Sequence, residues 1–219
     1  MFRCTTGKYD SLYARWLVHP GNLLDVAGWE PGKKLLDLCG GTGAVTREAL
    51  RRGAIPEEIT LLDLNPRYMQ AGVRQVQGEA ERARSLLPFE KYDVIVCRQA
   101  FGYLNRRKWE GLVDSLYRLL LPGGKLVFNT FQTPKWSFSS YLFDGNRYFE
   151  ISGYLGHRVF HIQASPFLGF DLTFFQWHEK EDIFAEFSKR FKVVCKETEK
   201  SLRWVCTREP EHAIAASQG

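Results

Sequence analysis

The chain has 219 residues, 44% of them apolar and 25% charged, with a formal net charge of +5. This is enough for one ordinary globular domain, and no apolar run approaches the roughly 20 residues that span a bilayer. The five cysteines contain no C-x-x-C pair, which argues against a disulfide framework or a zinc site and predicts no bound metal. Residues 1–8 lack the apolar centre of a signal peptide, so a cytoplasmic location is expected. In chain order, residues 7–17 read as a short amphipathic helix containing Tyr9 and Tyr13. Lys34-Leu35-Leu36 reads as a buried strand, running into Asp37-Leu38-Cys39-Gly40-Gly41-Thr42-Gly43 and then a helix over residues 44–52.

Glycines at a strand-to-helix turn let the backbone press against a ligand. A dinucleotide fingerprint would place a third glycine where this chain has Thr46. Instead, Asp37 ends the strand, which suits a ligand carrying a cationic group. A second apolar run, residues 59–62, ends in Asp63-Leu64-Asn65-Pro66, and Pro66 is placed to start a helix. An acid at the end of the second strand of a βαβ unit can accept from both hydroxyls of a ribose. Residues 73–77 form a third strand ending at Gly78-Glu79-Ala80. Residues 92–97 form a fourth, followed by the loop Arg98-Gln99-Ala100-Phe101-Gly102-Tyr103-Leu104. A helix over about residues 106–120 puts Leu112, Leu116, Leu119 and Leu120 against the sheet, and Leu121-Pro122-Gly123-Gly124 turns into a fifth strand.

These landmarks, in this order, resemble the class I S-adenosylmethionine (SAM)-dependent methyltransferases of the small-molecule, quinone-biosynthesis type. Asp37, Gly41 and Gly43 match the family pattern D-x-G-x-G-x-G. Cys39 replaces its first glycine, which is tolerable if that backbone stays in an ordinary conformation. The resemblance covers residues 9–131 well and the remainder loosely. It implies a Rossmann-like, doubly wound α/β fold with a seven-stranded sheet and an aromatic-rich lid inserted before the C-terminal strand pair. It implies that SAM contacts the loop through Asp37, Cys39, Gly40, Gly41 and Gly43, and the ribose through Asp63 and Leu64. Adenine contacts would come from Glu79 and Ala80, further contacts from Arg98, and closure over the methionine end from Tyr9 and Tyr13. The product would be S-adenosylhomocysteine.

One domain over residues 1–219 is expected, with N-terminal lid helices (1–30), a cofactor core (31–131), a substrate lid (132–178), a closing helix and strand pair (179–207) and a loose tail (208–219). Fifteen of the 31 aromatic residues fall within residues 128–177, which suits either an apolar acceptor pocket or a second small core. Residues 157–163 and 170–178 read as two added strands, a hairpin across the opening. The helix over residues 179–189 presents Ile183, Phe184 and Phe187 on one face. Residues 191–194 and 202–206 supply the last two strands.

The reaction expected is in-line methyl transfer to a small, apolar or aromatic, or lipid-like acceptor. No catalytic residue is assigned; His157, His161 and His178 are the imidazoles near the lid. The basic residues Arg47, Arg51, Arg52, Arg82, Arg84, Arg98 and 106–108 leave open an RNA or protein methyltransferase. A non-catalytic SAM-binding scaffold is the other alternative.

Overall fold

The computed structural model describes residues 18–65, 72–131, 137–143, 146–155, 158–165, 169–176, 178–198 and 201–210. The first described helix, α1 (Pro20–Ala27), is capped at its start by the His19 side chain, which accepts from the Gly21 N–H at 3.2 Å. Pro20 costs nothing there, because the first N–H groups of a helix have no partner within it. Gly28, in the left-handed region at φ 66, ends it.

The next strands are β1 (Leu35–Leu38), β2 (Ile59–Asp63), β3 (Arg74–Gln77), β4 (Tyr92–Cys97) and β5 (Leu120–Phe131). Helix α2 (Ala44–Arg51) follows β1, the short α3 (Ala83–Leu86) follows β3, and α4 (Trp109–Leu119) follows β4. β1 and most of β2 are buried throughout, as expected of parallel strands covered on both faces. Near the C-terminus, α5 (Lys180–Phe187) precedes β10 (Lys192–Glu197) and β11 (Ser201–Thr207). The main sheet has the order β10-β11-β5-β4-β1-β2-β3, with β10 and β11 antiparallel to each other and β11 antiparallel to β5. The winding direction reverses between β1 and β4. In open α/β sheets, the crevice outside the carboxyl ends at such a reversal is where ligands bind.

Side-chain alternation on β5 divides the core. Val127 faces Leu23, Leu24, Val45 and Ala49 of α1 and α2. Leu126 and Phe128 face Leu112, Leu116, Ile183 and Phe187 of α4 and α5. Phe184, expected on the buried face of α5, is instead exposed. Its position, one residue past Ile183, carries it off the stripe that Ile183 and Phe187 share. The Pro122-Gly123-Gly124 turn lies within β5 as a bulge that shifts its register against β4. A Cβ at Gly124 would lie 2.8 Å from the Leu121 carbonyl oxygen, so only glycine fits there.

Between β5 and α5 the chain forms a separate antiparallel sheet in the order β6-β7-β8-β9 (Ser137–Phe143, Asn146–Leu155, Arg158–Ser165, Gly169–Gln176). The expected hairpin is present as β8–β9, extended by β6 and β7 into a four-stranded meander. The sequence over 137–155, rich in serine and aromatic residues, offers no clean period-2 alternation. β9 runs against the Phe101–Tyr103 turn after β4, which brings this sheet to the carboxyl edge of the main one. Phe138, Phe149 and Ile151 share one face by register and are exposed.

Candidate functional site

The turn from β1 to α2 has only residues 39–43 in which to reverse direction, and three of them adopt positive φ: Cys39 at 56°, Gly41 at 54° and Gly43 at 78°. A Cβ at Gly40 would come within 2.8 Å of both Asp37 Cγ and Leu61 Cγ, so packing beneath the loop demands that glycine. At Gly41 the reverse holds: no atom lies within 4 Å of a Cβ there, and the glycine serves its φ and keeps that side of the loop open. The expectation that Cys39 keeps an ordinary backbone is corrected. It occupies the left-handed region that its glycine predecessor in the pattern would occupy freely, and a side chain there costs roughly 1–2 kcal/mol. Its thiol is hydrogen-bonded with that of Cys97 at the end of β4; this contact and burial hold it well above its ordinary pKa.

Asp37 is 1% exposed. Its Oδ2 accepts from the Thr46 backbone N–H at 3.0 Å and from the Thr46 hydroxyl at 2.7 Å. Oδ1 has no hydrogen-bond partner among the described residues. Burial raises the carboxyl to about 6, against the opposing pull of the Thr46 bonds and of the Arg98 charge. A buried carboxylate oxygen with an open acceptor position is suited to a cationic donor.

Asp63 Oδ2 accepts from the Gly41 N–H at 2.9 Å and Oδ1 from the Asn65 N–H at 2.8 Å. The end of β2 is thus bonded directly to the glycine loop. Each carboxylate oxygen retains a second lone pair for a hydroxyl. The Asp63 carbonyl accepts from the Gly78 N–H at 2.9 Å and the Leu64 carbonyl from Gln77 Nε2 at 3.3 Å, so the ends of β2 and β3 are bonded to each other. Glu79 opens the 3-10 turn Ala80–Arg82, with its carboxylate exposed and 3.4 Å from Lys108 Nζ, while Ala80 is buried. Asp37, the loop, Asp63, Glu79 and Ala80 therefore line one edge of the sheet.

Arg98 follows β4, and its Nε donates to the Val18 carbonyl at 2.7 Å. It lines a cavity of about 290 Å³ with Pro20, Ala44, Arg47, Glu48 and Arg51. Glu48 is held down to about 2, first by its hydrogen bond from Arg51 and further by Arg52, so it is ionised. Tyr9, Tyr13, Pro66 and His157 lie outside the described residues. His161 falls on β8, and nothing is assigned to its side chain. His178 is buried against Trp109, with ring centroids 4.4 Å apart, and sits 6.2 Å from the Phe101 ring. It is a buried residue, tilted against the Trp109 ring and edge-on to Phe101.

Three contributors were missed in the sequence. Thr46 was read only as a departure from glycine, although a hydroxyl in the first turn after an acid-glycine loop is the available signal. Gln99 and Asn129, joined across 30 residues by a 3.0 Å bond from the Gln99 N–H to Asn129 Oδ1, carry no local signal at all.

The methyltransferase-domain family matches residues 17–204 of this chain, well past the span over which the motifs are recognisable. A ubiquinone/menaquinone biosynthesis C-methyltransferase of Idiomarina loihiensis is 31% identical over 154 residues, covering 61% of this chain and 59% of that protein. One of the same name from Shewanella frigidimarina is 29% identical over 164 residues, covering 66% and 62%. The chain thus spans about three fifths of the length of these relatives. In structure it is similar to a SAM-bound amino pentose methyltransferase from Micromonospora echinaspora (TM-score 0.73, 19% identity, 95% of this chain and 99% of that one). It is also similar to the CcbJ methyltransferase of Streptomyces caelestis (TM-score 0.71, 17% identity, 95% and 100%). The chain belongs to the methyltransferase-domain family and has the class I SAM-dependent methyltransferase fold.

Proposed function

We propose that this chain transfers the methyl group of SAM to a small acceptor, and that the acceptor is an electron-rich aromatic ring of the hydroquinol type. The observation that carries the first part is the joined edge: Asp37 with an open buried oxygen, Gly41 with open space beside it, and Asp63 bonded to that same loop. These groups fit, in sequence along one crevice, an ammonium, a close-approaching chain and a ribose. Glu79 and the Ala80 backbone follow at the adenine end. The names of the relatives support a quinone-like acceptor for the second part.

Bound SAM supplies a methyl on a sulfonium; transfer breaks the S–C bond with its electron pair left on sulfur, forms a bond to the acceptor and releases a proton. Little chemistry remains for side chains beyond alignment and exclusion of water, which together account for much of the acceleration in such displacements. Asp37 would hold the ammonium end of the cofactor and Asp63 its ribose. The β6–β9 sheet, reaching the Phe101–Tyr103 turn through β9, closes the acceptor side. A hydroquinol loses its own proton with modest assistance, which is compatible with the enclosed position of His178.

Ion pairing among the described basic residues favours a small acceptor over an RNA platform. Arg51 is paired with Glu48, Arg106 with Asp182 and Lys108 with Glu79. The test is a turnover assay with SAM and short-chain prenylated benzoquinols and naphthoquinols that lack a ring methyl. Methylated product identified by mass, at a rate insensitive to moderate salt, supports the proposal. Methylation of RNA or protein in place of these acceptors, falling steeply with salt, would sink it.

A further inference from the structure

Two anomalies coincide at the carboxyl edge between β4 and β5. Gln99, directly after Arg98, is a non-glycine residue at φ 57 and is only 4% exposed. Backbone held in that region persists when its surroundings determine it, and it concentrates at functional positions. The surrounding group here is Asn129, 1% exposed, whose Oδ1 accepts the Gln99 N–H. That bond decides which way the Asn129 amide is turned, so Nδ2 points away from Gln99. Nδ2 is buried and has no hydrogen-bond partner among the described residues. A buried donor left unmatched opposes folding, so its retention needs a reason.

The location supplies one. Cys97 pairs with Phe128, which sets Asn129 one step beyond, level with Arg98. Alternation on β5 puts Asn129 on the face of Val127 and opposite to Phe128. That is the side of α1, α2 and the glycine loop, and it is also where Arg98 bonds to Val18. Asn129 thus stands buried beneath the carboxyl edge, level with Arg98, with only β4 between its strand and the one that leads into the loop assigned to the cofactor.

We infer that Asn129 Nδ2 donates a hydrogen bond to a ring oxygen of the methyl acceptor, and that the Gln99–Asn129 couple positions that ring for transfer. The inference rests on the hydroquinol reading above. An amide turned by a backbone N–H presents a donor of fixed direction, which suits a hydroxyl or oxyanion adjacent to the carbon that receives the methyl. It makes the site selective for oxygen-bearing rings over hydrocarbons of equal size, because the unmatched donor penalises the latter.

The test uses the full chain with SAM and 2-geranyl-1,4-naphthoquinol. Asn129→Asp retains an acceptor for Gln99 and removes the donor; Asn129→Leu removes both. S-adenosylhomocysteine affinity within about twofold of wild type, with the naphthoquinol KM raised at least tenfold in both variants, is the expected result. Wild-type turnover with an unchanged KM in the variants overturns the Asn129 assignment alone. Loss of S-adenosylhomocysteine affinity in folded variants also overturns it, in favour of a cofactor contact. Absence of wild-type turnover overturns the hydroquinol reading and this inference together. If neither variant folds, the Asn129 side-chain amide resonance of the wild-type S-adenosylhomocysteine complex is followed during quinol titration. A shift of that resonance supports the assignment, and an unmoved one while other signals shift overturns it.

Discussion

Thr46 bonds to Asp37 twice, through its backbone N–H and through its hydroxyl, and both bonds fall on the same carboxylate oxygen. The first turn of α2 is thereby tied to the last residues of β1, and the other oxygen is left for a ligand. Thr46→Val keeps the volume and the backbone bond but removes the hydroxyl. We expect a loss of roughly 1–3 kcal/mol in unfolding free energy, the usual range when a buried polar partner is lost, and weaker SAM binding. Chemical denaturation beside SAM titration checks both; a variant as stable as wild type would contradict the role given to Thr46.

Asp37 also makes stability depend on pH. Its carboxyl titrates at about 6 in the folded chain and near 3.8 when free. Between those values the folded state binds the proton more tightly than the unfolded state. The contribution is therefore fully present below about pH 4 and lost as pH rises through about 6, by up to ~3 kcal/mol. Asp37→Asn should flatten the slope of stability across that window. SAM affinity should run the opposite way, rising with pH to above 6 as the carboxylate forms, and should lose that rise in the variant.

At Asp63, alanine removes the acceptors for Gly41, for Asn65 and for the ribose together. Charged hydrogen bonds are worth about 1.5–3 kcal/mol each before non-additivity, so cofactor affinity should fall on the order of tenfold to several hundredfold. The fold should survive, since Asp63 lies at the rim and not in the core. Unchanged SAM affinity in a calorimetric titration would remove the ribose assignment.

Cys39 offers a test of backbone strain. Cys39→Gly relieves a left-handed side chain while giving up the contact with Cys97, so its stability should stay within about 1 kcal/mol of wild type. Cys39→Val places a β-branched side chain at φ 56 and should be destabilised by roughly 2–3 kcal/mol. Melting temperatures in the order glycine above valine are expected; the reverse order would mean that side-chain packing outweighs conformation there.

Much of the cofactor half was legible because each element announces itself within a few residues. The acid-glycine loop, Asp63 at a strand end, and the Leu112, Leu116 and Leu119 stripe are local patterns set by backbone geometry and burial. The conformation of Cys39 was not legible, since φ depends on how the loop meets β4. Of the β6–β9 meander only the β8–β9 hairpin was legible, because residues 137–155 offer no clean period-2 alternation in sequence. Phe184 was misplaced because a short apolar triplet does not say which of its members meets the sheet. Gln99 and Asn129 meet only through strand pairing, so no local pattern signals them.

Calorimetric titration of the purified chain with SAM, and separately with S-adenosylhomocysteine, tests the central assignment most directly. Micromolar binding of both, abolished or strongly weakened in Asp63→Ala, is expected. No binding of either ligand to the folded wild-type chain would contradict it.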